Sequence, residues 1–269
     1  MKKAIILVSL LLANVGLQAE TLKVTDLDID KVRVQGSVEV QISQGDTTEL
    51  LLRGDGDDLD MRPFYTRGST LVLGDSKDHP GKKFSSVKYM LTVVDLDEIH
   101  LSGSGDVFVK PFETEQMLVN VEGSGDIKLF ELSAQEARVR VTGSGDIKAA
   151  EVSAEMLELL VAGSGDIAIG ELRGDVIEAT ISGSGDISTQ DVPGEASSVE
   201  INIVGGGEVD FAGLAADSAE INIVGSGDAR VGDVGYLEVN IIGSGDIYYA
   251  GDPEIDSTVL GSGDLNRQR

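Results

Sequence analysis

Eight aspartates close eight copies of the tetrapeptide Gly-Ser-Gly-Asp: Asp106, Asp126, Asp146, Asp166, Asp186, Asp228, Asp246 and Asp264. A degenerate copy, Gly205-Gly206-Gly207-Glu208, fills the one gap, and successive copies lie 20, 20, 20, 20, 22, 20, 18 and 18 residues apart. Carboxylates at such regular spacing support two kinds of chemistry. They can ligate a hard cation such as calcium, which takes about 6–8 oxygens. A pair of them can also act as acid and base on a glycosidic bond.

Stacked one above another, like charges ~5 Å apart repel by about 0.8 kcal/mol in water and about 3 kcal/mol at an effective dielectric of ~20. Turn N–H groups, outward splay or bound cations must offset that. Turn capping is the favoured reading, with each Asp accepting from N–H groups of its own turn. Calcium held between adjacent corners is the alternative use of the same eight aspartates, although known calcium rolls repeat Gly-Gly-x-Gly-x-Asp about every nine residues. No carboxylate pair stands out from the periodic background as an acid–base couple. His79 and His100 have no partner evident in the sequence, and there is no tryptophan to stack on a sugar ring. The glycine corners lack the Gly-Lys-Ser/Thr of a phosphate loop. No catalytic residue is assigned.

The elements that position these carboxylates are legible in columns. Two residues before each first glycine stand Leu101, Val121, Val141, Val161, Ile181, Ile203, Ile223, Ile241 and Val259. Four before stand Ile99, Val119, Val139, Leu159, Ala179, Ile201, Ile221, Val239 and Ser257, with polar or variable residues between the two columns. Alternation of Val and Ile with polar residues predicts a strand with one buried face. After the corner a third column runs Val107, Ile127, Ile147, Ile167, Ile187, Val209, Ala229, Ile247 and Leu265. Each unit therefore reads as strand, glycine corner, strand and a polar return such as Glu131 to Glu136. Two glycines permit the abrupt turn. A unit this short cannot bury its own apolar face, so the units must stack. The fold class is all-β: a single-domain parallel β-solenoid, its right-handed coil inferred from parallel crossovers. At ~4.8 Å per rung, nine rungs make a rod roughly 40 Å long.

Residues 20–102 are less regular and read as the capping start of the same solenoid, with residues 103–269 as its regular repeats. Val32 to Gly36 repeats the alternation before a glycine, Gly54-Asp55-Gly56-Asp57 resembles a corner, and Gly74-Asp75 lies 20 residues further on. Asp75 to Ser86, with Pro80-Gly81, reads as an inserted loop.

Two further rows could form a recognition face or a solvated exterior: Glu158, Glu178, Glu200, Glu220, Glu238 and Asp256, and beside them Asn202, Asn222 and Asn240. Arg53-Gly54-Asp55 and Arg173-Gly174-Asp175 match an integrin-type tripeptide, a coincidence expected in a chain so rich in Gly and Asp.

Composition narrows the function further. Lys2-Lys3, an apolar run from Ala4 to Ala13 and the small residue Ala19 predict a secretory signal over residues 1–19, too short to span a bilayer as a helix. The sequence contains no cysteine, which excludes disulfides, thiolate metal sites and a cysteine nucleophile. The net charge of −26 repels phosphate backbones and anionic lipid. Nucleic acid and membrane insertion are therefore not expected. The location expected is the periplasm or the cell exterior, with a glycan or protein of the envelope or a host as partner and no cofactor other than calcium on the acidic edge.

The Val/Ile-rich opening (Val32 to Ile42), a hairpin-like middle and the serial corners resemble the bacterial family called putative auto-transporter adhesin, head GIN domain. The stretches that carry it are Ile99-His100-Leu101-Ser102-Gly103-Ser104-Gly105-Asp106, Val139 to Ile147 and Ile177 to Ile187. The resemblance implies an exported β-helical protein with an adhesive role and transfers no catalytic residues. After the last corner come one short strand and Asn266-Arg267-Gln268-Arg269 with no translocator barrel, so self-export is not expected. That polar, basic tail is expected to blunt the last rung against pairing. The function expected is a non-enzymatic, adhesin-like contact module. A polysaccharide-acting periplasmic enzyme and a calcium-binding scaffold are the alternatives.

Overall fold

The computed structural model describes residues 19–190 and 193–268. The export signal expected over residues 1–19 lies outside them except for Ala19. All the strands join in one continuous sheet that winds into a β-solenoid.

The winding starts out of sequence order. After β1 (Glu20–Thr25), the chain forms β2 (Lys31–Gly36), turns at Ser37-Val38 and continues as β3 (Glu39–Gln44). It leaves through β4 (Glu49–Gly54), helix α1 (Gly56–Asp60) and β5 (Phe64–Arg67). Then β6 (Thr70–Leu73) and β7 (Lys88–Val93) are laid in parallel on the outer side of β2 and β3. Only afterwards do β8 (Glu98–Gly103) and β9 (Asp106–Val109) stack on their inner side, so Gly36 and Gly103, 67 residues apart, sit in register. The outermost rung is covered by antiparallel pairing: β5 lies along β6, while β4 lies along β7 and carries β1 beyond it. This hides edges that would otherwise invite strand addition.

Gly54 to Asp57 is not a corner. Asp55 caps α1, its side chain accepting from the Asp57 N–H at 3.0 Å. Asp57 and Asp58 in the first turn favour a helix start over a bend. Residues 75–86 do form an inserted loop, closed down by the buried Phe84, by Ser76 donating to the Met61 carbonyl at 2.6 Å and by Lys82 pairing with Asp58 at 2.7 Å.

From β8 onward chain order and spatial order agree. The rungs run through β10 (Phe112–Gly123), β11 (Asp126–Gly143), β12 (Ile147–Gly163) and β13 (Ile167–Gly183). They continue as β14 (Ile187–Thr189), β15 (Gly194–Gly205), β16 (Glu208–Phe211), β17 (Leu214–Gly225) and β18 (Asp228–Gly243). The last are β19 (Ile247–Ala250), β20 (Glu254–Gly261) and β21 (Leu265–Arg267). The pre-corner columns and the post-corner column point inward and are buried through Ile241 and Ile247. Each such aliphatic side chain contributes about 1.5–3 kcal/mol. On the final rung the equivalents Ser257 and Val259 are exposed.

The polar return is in fact strand. Glu131, Leu132, Ser133 and Ala134 pair in register with Glu151, Val152, Ser153 and Ala154. Phe112, Leu132, Val152 and Leu172 form a further buried column. One fully buried residue in a polar stretch suffices, because each rung borrows its backbone partners from the neighbours above and below.

Candidate functional site

The corner is built on backbone contact. The first glycines from Gly103 to Gly261 adopt φ between 124° and 146°, where L side chains are strained. A Cβ on any of them would lie within 2.6 Å of the carbonyl oxygen of the glycine one rung back. The second glycine is blocked in the same way: a Cβ on Gly145 would meet the Gly125 carbonyl at 2.1 Å. Glycine is required here by the stacking as much as by the turn.

The aspartates cap the neighbouring corner, not their own. Asp126 Oδ1 accepts from the Asp146 N–H at 3.1 Å, Asp146 from Asp166 at 3.1 Å and Asp166 from Asp186 at 2.9 Å. Asp186 accepts from Glu208 at 2.9 Å, Asp228 from Asp246 at 2.8 Å and Asp246 from Asp264 at 2.9 Å. A carboxylate on an N–H is a charge-assisted bond, and it offsets part of the repulsion along the row. Asp106 heads the column above Glu39, and its own N–H donates to the Val38 carbonyl at 3.0 Å.

Glu208 breaks the ladder. Its carboxylate turns to Arg230, and the Asp228 N–H goes instead to the Gly207 carbonyl at 3.2 Å. Burial raises the Glu208 carboxyl above its ordinary range, and Arg230 opposes that rise. Among the described residues, no three acidic or histidine side chains converge on a point where an ion could sit. The eight aspartates stand as single carboxylates, one per rung.

A different face gathers more surface chemistry. The outward positions of the pre-corner strands form three parallel rows. In the middle rungs the acidic row is neutralised, with Arg138 and Arg140 reaching Glu158 at 3.2 and 2.6 Å. Toward the C-terminal end asparagines take over. Asn222 donates to Asn202 at 3.1 Å and Asn240 donates to Asn222 at 3.1 Å. Asn202 and Asn222 also donate to Glu200 and Glu220 at 2.8 and 3.0 Å.

Alongside the amides, one residue before each first glycine, runs an exposed aliphatic row: Val204 (55% exposed), Val224 (48%), Ile242 (54%) and Leu260 (63%). These four stack in register on β15, β17, β18 and β20. In earlier rungs the same position holds Ser102, Glu122, Thr142, Ala162 and Ser182. The signal was available in that switch from polar to aliphatic.

The remaining sequence candidates resolve into structural roles. His100 is buried: its Nδ1 lies 2.9 Å from the Asn120 amide and its Nε2 lies 3.4 Å from Glu122. Burial holds the imidazole below its ordinary pKa and Arg33 adds to the effect, while Glu122 and Glu98 pull the other way. Asp55 is the helix cap already described. Arg173 pairs with Glu151 and Glu171, and Asp175 accepts from the Ser197 hydroxyl, so neither tripeptide presents a free loop.

The sequence matches the family described as putative auto-transporter adhesin, head GIN domain, over residues 28–192 and again over 150–253. The chain belongs to that family. No curated protein matches it. Among solved structures, it resembles a putative adhesin from Parabacteroides merdae ATCC 43184 with a TM-score of 0.71 at 21% identity, covering 94% of this chain and 98% of that one. A putative lipid binding protein from Parabacteroides distasonis ATCC 8503 matches with a TM-score of 0.64 at 26% identity, also over 94% and 98% of the two chains. A putative adhesin from the same strain matches with a TM-score of 0.67 at 19% identity over 93% and 97%. In this head GIN domain protein the repeated motif is thus a corner whose Asp serves the next rung. No helix among the described residues is long and apolar enough to cross a membrane.

Proposed function

We propose that the protein is an exported, non-enzymatic contact module of the bacterial envelope that binds a glycan or protein surface through the outward face of β15, β17, β18 and β20. The observation that carries this reading is the exposed aliphatic row beside the asparagine ladder. Contiguous exposed apolar side chains rimmed by polar ones mark interaction surfaces. The amides fix each other's orientation and leave a straight, repeating line of acceptors and donors. Membership in an adhesin family supports the same reading.

Screening the purified protein against envelope and host glycans and surface proteins tests it. Retention of a ligand without turnover is the expected result. Formation of a cleaved product would establish the polysaccharide-acting alternative instead.

A further inference from the structure

The cap at the N-terminal end contains a cleft that the contact face leaves unused. It has a volume of about 280 Å³ and lies between β1, the segment that follows it, β5 and the inserted loop. Leu22, Val24 and Leu27 on one side and Phe64 on the other supply its apolar lining. Four charged residues also line it: Asp26, Arg62, Lys77 and Asp78.

All four side chains are exposed, and none forms an ion pair with another or with any other described residue. One feature sets this cleft apart: Asp26 (φ 60°) and Arg62 (φ 48°) are the only non-glycine residues with positive φ among those described, and both line it. Left-handed backbone at a residue such as Arg is uncommon and gathers at ligand sites. Arg62 follows the end of α1, a position where glycine is the usual choice. Here the chain retains a cation in its place.

We propose that this cleft binds a small zwitterion bearing an apolar group, of the size and chemistry of a free aliphatic amino acid. The cleft has the volume of about nine water molecules at ~30 Å³ each, which is room enough for a ligand of that class. Arg62 and Lys77 take the carboxylate, Asp26 and Asp78 take the ammonium, and Leu22, Val24 and Phe64 cover the side chain. A ligand with both charges has a partner among the cations and another among the anions, which a simple anion or cation does not.

Calorimetric titration of the purified protein with leucine, 4-methylpentanoate and leucinamide tests the assignment. Leucine is expected to bind saturably at or below about 1 mM. The two analogues, each lacking one charge, are expected to bind about tenfold or more weakly. Two variants keep the local backbone intact. Arg62→Gly relieves the left-handed residue and Asp26→Asn tolerates it. Both should melt no lower than the parent yet lose about tenfold in leucine affinity. Equal binding of all three compounds would overturn the proposal, as would unchanged affinity in the variants or no saturation by about 10 mM leucine. None of these outcomes bears on the contact face.

Discussion

At the residue scale, the corner aspartate is a structural group shared between rungs. Asp166 illustrates the consequence. Replacing it with Ala leaves the Asp186 N–H without its side-chain acceptor, which should destabilise by about 1–2 kcal/mol. Asp166→Asn keeps an acceptor oxygen and removes one charge from the row, so it should lie within about 0.5 kcal/mol of the parent. Urea denaturation measures these two costs, and melting of the parent and the Asn variant with calcium and with chelator distinguishes capping from cation binding. Were calcium the reason for the Asp, the Asn variant would lose a calcium-dependent rise in melting temperature, whereas capping predicts no such rise in the parent.

The glycines are less forgiving. Gly163→Ala places a Cβ at 2.2 Å from the Gly143 carbonyl at φ 135°, and should cost roughly 2–4 kcal/mol.

His100 supplies a pH dependence whose sign follows from its environment. Its folded pKa is lowered by burial and by Arg33, while Glu122 and Glu98 oppose. The unfolded chain therefore binds a proton more readily than the folded one. The stability that neutral His100 contributes is present above about pH 6.5 and is lost as pH falls through the lower folded value. Asn120, Glu122, Glu98 and Arg33 are the groups that face it. His100→Asn should flatten the decline in melting temperature between about pH 7 and pH 5. An unchanged profile would place the acid sensitivity elsewhere.

At the scale of the element, the return segment decides how closed the solenoid is. Leu132 on that segment is buried, so Leu132→Ala should destabilise by about 2–5 kcal/mol. An exposed position on a polar loop would instead change stability by no more than about 0.5 kcal/mol.

Legibility in the sequence followed the strength of the columns. The two strands flanking each corner showed clearly because Val and Ile recur there at period two across nine units. The return did not, because Glu131 to Glu136 offers only Leu132 and Ala134 to the interior, and two residues do not make a period. The N-terminal winding was also invisible. Gly36 and Gly103 are stacked neighbours, but nothing in spacing announces that β6 and β7 will be laid on the far side of β2 and β3 before the chain returns. The reading of Gly54 to Asp57 failed for a related reason: Gly and Asp serve helix caps as readily as corners. His100 alternates outward as the pattern required, yet Asn120 and Glu122 from the next rung enclose it.

At the scale of the whole molecule, the solenoid is asymmetric. Its N-terminal end is covered by β1, β4, β5 and α1, and its last strands carry exposed apolar residues, Ile255, Val259 and Leu260 among them. The aliphatic row widens toward that end, as the position before the corner changes from Ser182 to Val204, Val224, Ile242 and Leu260. A stacked array suits such use, because each rung repeats the same outward geometry and a long ligand can bind several rungs at once. Substitutions on this face should leave the fold intact, since these side chains contribute little to the core. Val224→Lys with Ile242→Lys should shift the melting midpoint by less than about 2 °C.

That double variant gives the most direct measurement of the central claim. Attachment of cells would be scored in the source bacterium lacking the gene, after restoring either the parent protein or the folded double variant at equal surface abundance. The account predicts that the parent restores attachment and that the double variant leaves it at the level of the deletion. Full restoration by the double variant, or a deletion that attaches as well as the parent, would contradict it.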